Sequence, residues 1–172
     1  HDDGRRLIFV STRDDATNLF SMDLASGAFR QLTDERRVTD ELMFACLNPV
    51  REELYFWRDD TLVALDLATL EERALYRSPA GFSNNMLSAT SDGSTVVTGH
   101  YEDLSDRFAV DLLKGYVGFE QYWAANPLSR IVAIDTATGA SREVFAENAW
   151  IGHVNASPTV PHLATFCHEG PW

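Results

Sequence analysis

A twelve-residue pattern that occurs three times constrains the fold of this 172-residue chain more than any other feature. The copies align without a gap as SMDLASGAFRQL, ALDLATLEERAL and AIDTATGASREV, beginning at Ser21, Ala64 and Ala133. Each has an apolar residue before an aspartate, then a short polar stretch, then an arginine seven residues after the aspartate. Because an aspartate side chain can cap a tight turn, each copy predicts a β-hairpin in which one strand ends at the aspartate.

The residues between the copies predict further strands. The runs RRLIFVST, EELYFWRD and STVVTGHY precede the three copies, and the turn-forming stretches DDG, NPVRE and SDG introduce these runs. Asp23 and Asp66 lie 43 residues apart, a period that is typical of four-stranded propeller blades. We therefore predict an all-β fold, a β-propeller domain over residues 1–172. The predicted blades cover about 3–40, 41–80 and 81–147, and a fourth begins at 150.

An insertion separates the second and third copies. The third aspartate follows the second by 69 residues, and the excess falls in residues 101–127. Phe119, Tyr122 and Trp123 have helical spacing there, and Asn-Pro gives a stop signal, so we expect a helical segment. Two roles remain open for it. It could form a lid or rim beside the central funnel where propellers bind ligands, or it could only cover blade edges.

Composition restricts the partners that this chain can have. It carries 14 basic and 26 acidic residues, a net charge of -12, which argues against nucleic-acid binding. A local basic pocket for an anionic ligand remains compatible with that charge. No run of 18 apolar residues is present, so we expect no membrane span. Cys46 and Cys167 stand in apolar, strand-like surroundings, which favours buried free thiols in a reducing compartment and hence a cytoplasmic location.

The number of blades bears on whether the fold is closed. Propellers typically have four to eight blades, and about three and a half blades would leave two unpaired sheet edges. We therefore expect the remainder of a propeller to complete the fold.

Five residues near the fourth blade are candidates for binding. His153 in NAWIGHVNASP and His168 in FCHEGPW fall on consecutive predicted strands, and Glu169 follows directly. Metal ligation by these three is conceivable, but no spacing such as HExxH supports it; the alternative is a histidine between blades with Glu169 as its hydrogen-bond partner. Trp150 and Trp172 could stack on a sugar ring or be buried. Neither a GxSxG nucleophile elbow nor a phosphate-binding glycine loop is present.

The run NPLSRIVAIDTATGASREVFAENAWIGHVNASPTVPHLATFCHEGPW resembles the oligogalacturonate lyases, polysaccharide lyase family 22. WIGH followed by FCHEGP is its specific part, and the earlier repeats fit the family more loosely. The matching residues are Asn126, Pro127, Arg130, Asp135, Thr138, Gly139, Trp150, Ile151, Gly152, His153 and Phe166 to Pro171.

The resemblance implies a seven-bladed propeller that acts in pectin degradation. Such a lyase cleaves short, often unsaturated, galacturonate oligomers by metal-assisted β-elimination and gives 5-dehydro-4-deoxy-glucuronate. It also implies a divalent cation, usually Mn²⁺, a histidine base and a nearby arginine. In the family these residues follow FCHEGP, so we expect the catalytic and metal residues beyond Trp172, none in this chain, and no activity from this chain alone.

The resemblance gives the five candidate residues a role in substrate binding. We expect His153 and His168 to face the funnel on adjacent strands, with Glu169 orienting one imidazole. A carboxylate beside an imidazole favours its charged form, and a protonated pair would suit a polyanionic uronate. The alternative function is a non-catalytic TolB-like propeller that binds a protein or a glycan, because the DxxTG repeat occurs in many propellers.

Overall fold

The computed structural model describes residues 4–111 and 115–170, and they form four antiparallel sheets in chain order. The first sheet contains β1 (Arg6–Ser11), β2 (Asn18–Asp23) and β3 (Phe29–Gln31). The second contains β4 (Cys46–Asn48), β5 (Glu53–Arg58), β6 (Thr61–Asp66) and β7 (Glu72–Arg77). The third contains β8 (Phe82–Ala89), β9 (Thr95–Glu102), β10 (Leu128–Asp135) and β11 (Ser141–Asn148). The fourth contains β12 (Ile151–Ala156) and β13 (Ala164–His168).

Helical structure is sparse among the described residues. One α-helix, α1 (Phe119–Ala124), lies in the insertion, and two short 3-10 segments cover Arg13–Asp15 and Glu41–Phe44. Within residues 4–111 and 115–170, no helix has the length and apolar character needed to cross a membrane.

The repeated aspartates form the predicted hairpin turns. Oδ1 of Asp23 accepts hydrogen bonds from the backbone N–H groups of Ala25 at 3.1 Å and Ser26 at 2.8 Å. The equivalent bonds in the other two copies measure 2.7–3.0 Å. These turn hydrogen bonds, from side-chain hydroxyls and backbone N–H groups, lower the pKa of all three carboxyls. Each turn is therefore specified by local chemistry within five residues.

The sheets pack face to face, and this explains the unbroken apolar run in β5. Because side chains alternate across a strand, Leu54 and Phe56 pack towards the first sheet, while Tyr55 and Trp57 pack towards the third. All four are at most 1% exposed. A strand covered on both faces has no polar alternation, as expected for an interior propeller blade.

The sheets are blades of a β-propeller, with β4, β8 and β12 as neighbouring first strands. In the second and third blades the repeat hairpin joins the third and fourth strands. The same hairpin joins β2 and β3, so β1 corresponds to β5 and β9. Among the described residues, the first blade therefore has no counterpart of β4, β8 and β12.

The insertion packs against the start of the fourth blade. Tyr122 of α1 is 2% exposed and lies against Trp150, with 5.0 Å between ring centroids. Its hydroxyl donates to the backbone carbonyl of Glu102, at the end of β9. Leu104 is fully buried in the same cluster. The helix is thus fixed between the third and fourth blades.

Candidate functional site

A β-bulge in β12 determines the direction of His153. Ile151 pairs with His168 and Gly152 with Cys167, but the next pair is Asn155 with Thr165, so β12 contains one extra residue. His153 lies in this bulge with φ +49°, in the left-handed region. Bulges near functional sites commonly redirect a side chain.

The bulge brings three ligand-type side chains together. Nε2 of His153 lies 3.4 Å from Oε1 of Glu169. Sγ of Cys167 lies 3.3 Å from the same oxygen and 3.4 Å from the carbonyl oxygen of Gly152. The Glu169 side chain is only 11% exposed, whereas that of His153 is 58% exposed. The result is a nearly buried carboxylate with a thiol on one side and a solvent-facing imidazole on the other.

Two local features hold Glu169 in this position. Its backbone N–H donates to the carbonyl oxygen of Trp150 at 2.9 Å. A Cβ atom at position 152 would overlap Oε1 of Glu169, so the close approach of the carboxylate requires Gly152. The Trp-Ile-Gly-His and Cys-His-Glu stretches therefore pack closely because residue 152 has no side chain.

The electrostatic surroundings keep the Cys167 thiol protonated. Burial, together with the hydrogen bond to Glu169 and its negative charge, raises the pKa of Cys167 to about 11. The thiol therefore carries its proton at neutral pH. It can donate that proton in a hydrogen bond to Glu169.

A cavity of about 200 Å³ lies beside this group. One wall is aromatic, with Tyr116 and Phe119 from the insertion and Trp150 from the start of the fourth blade. The polar end contains His153 and Glu169. The cavity thus offers ring faces to an apolar surface of a ligand and a few polar groups to orient it, which is typical of small-molecule sites.

The insertion makes two kinds of contact, with the blade junction and with the cavity. Its helix covers the junction between the third and fourth blades through Tyr122, and it also supplies part of the cavity wall. Tyr116 is 70% exposed and contacts Phe119 edge to face, with 5.6 Å between ring centroids. Asn85 and Met86 of β8 line the cavity as well, which places it next to a first strand of the propeller.

His168 belongs to a different surface. Its Nε2 lies 2.8 Å from Oε2 of Glu147, at the end of β11, and its ring contacts Phe166 edge to face. Alternation along β13 puts Phe166 and His168 on one face and Cys167 on the other. The structure therefore does not bring His168 to the group formed by His153 and Glu169, and the two histidines lie beside different carboxylates.

The other predicted residues have distinct placements. Trp150 is 7% exposed and packs within the aromatic cluster, and it also lines the cavity. Trp172 lies outside the described residues. Sequence reasoning did not select Cys167 or Tyr116 for the site. The two-residue period of FCHEG could have paired Cys167 with Glu169, whereas nothing local indicates that Tyr116 lines a cavity with His153.

Comparisons with known proteins extend over nearly the whole chain. The family model described as oligogalacturonate lyase matches residues 1–172. The oligogalacturonide lyase of Pectobacterium atrosepticum is 30% identical over 173 residues, covering 98% of this chain and 42% of that protein. A solved oligogalacturonate lyase in complex with manganese is similar with a TM-score of 0.81 and 30% identity, covering 98% of this chain and 44% of that one.

More distant propellers share the fold. TolB from Acinetobacter baumannii is similar with a TM-score of 0.60 and 14% identity, covering 91% of this chain and 33% of that one. The chain thus spans less than half the length of each relative described above.

Proposed function

The chain belongs to the oligogalacturonate lyase family, and on that premise we propose that the protein containing it cleaves short galacturonate oligomers by β-elimination. The product would be 5-dehydro-4-deoxy-glucuronate, and the role would be in pectin degradation. The observation that carries the proposal is the family match over residues 1–172. The free state of Cys46 and Cys167 supports a cytoplasmic location as part of the same proposal.

The cavity beside His153 supports a substrate-binding role for this chain. A sugar ring has an apolar face that can lie against Tyr116 and Phe119, and a uronate carboxylate can face the imidazole at the polar end. Nε2 of His153 lies 3.4 Å from Oε1 of Glu169, so the carboxylate faces the imidazole from within the strand pair. We propose Trp150, His153 and Glu169 as the substrate-binding set.

The described residues do not supply a manganese site. The three side chains that could converge on a cation, His153, Cys167 and Glu169, include a thiol. Mn²⁺ prefers carboxylate, carbonyl and water oxygens, and a thiol whose pKa is raised to about 11 is a poor ligand for it. We therefore place the manganese ligands and the catalytic base of the proposed reaction outside this chain.

In this proposal, residues outside this chain hold the cation and remove the proton, and residues of this chain position the substrate. When bound, a divalent cation supplies the positive charge that offsets the substrate carboxylate during removal of the C5 proton. Within this chain, the aromatic wall holds the ring plane and His153 contacts a polar or anionic group. Positioning of this kind lowers the barrier because the reacting atoms are already aligned.

The test is product formation by the full-length protein. Unsaturated digalacturonate and Mn²⁺ should give a keto-deoxy-uronate monosaccharide, measured by chromatography with mass detection. His153→Ala should lower kcat/KM by at least about tenfold, a loss of roughly 1.4 kcal/mol of transition-state stabilisation. The matched control is His168→Ala, which removes an exposed imidazole from the opposite face of the same sheet and should change kcat/KM little. No product with or without metal would refute the lyase proposal.

A second candidate function is a non-catalytic propeller that binds a protein or a glycan, because the turn repeat of this chain is common to many propellers, and TolB has a similar fold. That similarity, at 14% identity, concerns the fold alone. The same assay separates the two, because a binding module would retain the oligosaccharide without converting it.

A further inference from the structure

We propose that His153, Cys167 and Glu169 form a binding site for a thiophilic divalent cation of the zinc class. The three side chains offer one nitrogen, one sulfur and one oxygen ligand. A fourth position remains for water.

The separations of the ligand atoms suit a tetrahedral cation. Zinc takes nitrogen and oxygen ligands at about 2.0–2.2 Å and sulfur at about 2.3 Å, so neighbouring ligand atoms lie roughly 3.3–3.6 Å apart. Nε2 of His153 and Oε1 of Glu169 are 3.4 Å apart, and Sγ of Cys167 is 3.3 Å from the same oxygen. All three ligand atoms lie within 4.8 Å of one another.

The backbone holds the group in this arrangement at some cost. A left-handed φ at a residue with a side chain is unfavourable, and His153 adopts one within the bulge of β12. The side chain of Asn155 donates to the carbonyl oxygen of His153 at 2.7 Å, which stabilises that conformation. Without the bulge, His153 would lie opposite Phe166 and turn away from Cys167. Strained residues of this kind cluster at ligand sites.

The chemistry of the ligands selects the cation. A nitrogen–sulfur–oxygen set favours Zn²⁺ and similar ions over Mn²⁺ and Mg²⁺, which prefer oxygen ligands. On binding, the Sγ–H bond of Cys167 breaks as the Sγ–metal bond forms, and the proton passes to solvent without electron transfer. The 58% exposure of the His153 side chain leaves the site open to cations from solution.

Occupancy of this site would affect the ligand cavity. Two of the cation ligands, His153 and Glu169, also form the polar end of the cavity. If the proposed function is correct, zinc-class cations should therefore inhibit oligogalacturonate cleavage while Mn²⁺ supports it. This consequence rests on the proposed function, whereas cation binding itself does not.

Cobalt binding to the full-length protein tests the site without any substrate. Co²⁺ is a spectroscopic probe for zinc sites, and a thiolate ligand gives a sulfur-to-cobalt charge-transfer band in the near ultraviolet. We expect that band on titration with Co²⁺ and its loss on addition of Zn²⁺. Cys167→Ser should abolish the band and weaken Zn²⁺ binding, measured by calorimetry, by at least about tenfold.

Two further variants keep the test decisive. Cys46→Ser is the matched control, since this thiol lies in β4 and has no place in the group, and it should leave the band unchanged. His153→Ala alters an exposed side chain, should preserve the fold, and should also weaken Zn²⁺ binding. A band that persists in Cys167→Ser, or no band at saturating Co²⁺, would show that the three side chains do not form a cation site.

Discussion

Replacement of Gly139 by alanine isolates one contact between neighbouring blades. Gly139 lies in the β10–β11 turn with φ +76°, and a Cβ there would overlap the carbonyl oxygen of Leu75 in β7 and lie 3.1 Å from its carbonyl carbon. The same position in the first copy of the repeat is Gly27, with φ +72° and nothing within 4 Å of an added Cβ. The pair thus shares its backbone strain and differs in the contact.

The expected magnitudes follow from these two terms. The left-handed conformation costs an alanine about 1 kcal/mol, and the second copy of the repeat tolerates a side chain there, because Leu70 has φ +62°. Gly27→Ala should therefore lower the free energy of unfolding by about 1 kcal/mol. Gly139→Ala adds overpacking against a neighbouring backbone, which costs roughly 1–3 kcal/mol, so its total should be about 2–4 kcal/mol.

Urea unfolding of the full-length protein, followed by tryptophan fluorescence, measures both values. The two variants should have the same slope against urea and different midpoints. Equal destabilisation by Gly27→Ala and Gly139→Ala would refute the reasoning, because the contact with Leu75 would then contribute nothing.

Three further results are expected. Burial, the largest single effect, acts to raise the pKa of Glu53, but hydrogen bonds from Tyr55, Arg73 and Arg51 together outweigh it, so the pKa is lowered. The stabilisation by ionised Glu53 is therefore complete above the unfolded pKa of about 4.3 and is lost as pH falls through the folded pKa. Glu53→Gln should lower the free energy of unfolding by about 1–3 kcal/mol at pH 7. In a plot of urea midpoint against pH, the variant should also show a smaller decrease on the acid side. Alkylation of Cys167, followed by peptide mass spectrometry, should accelerate about tenfold per pH unit from pH 8 to 10, because burial and Glu169 raise its pKa to about 11; a plateau near pH 9 would contradict that value. Tyr116→Ala should leave the unfolding midpoint unchanged, because the ring is 70% exposed, yet weaken oligogalacturonate binding in calorimetry by about 1 kcal/mol or more; unchanged affinity would remove the ring from the site.

The local sequence was sufficient to predict the hairpins and the blade pattern. Each turn depends on an aspartate and the N–H groups two and three residues further on, so its chemistry lies within five neighbouring residues. The apolar run of β5 likewise follows from burial on both faces of a single strand. The helical spacing of Phe119 and Tyr122 also corresponds to a helix in the structure.

The membership of the site was decided by tertiary structure. A strand with a regular two-residue period would have placed His153 and His168 on one face, as the sequence analysis expected. One extra residue in β12 reverses the direction of His153, and no residue type in WIGHVNAS specifies where that residue is accommodated.

The long-range partners show the same limit. The carboxylate of Glu147, at the end of β11, pairs with His168 across 21 residues, and Tyr116, from an insertion in the third blade, lines the same cavity as His153. Such contacts depend on how whole blades stack, which is set by many buried side chains together. Hydrogen bonds within a turn can therefore be predicted from the sequence. The direction of a side chain at a bulge, and its partners on another blade, are determined only when the blades pack.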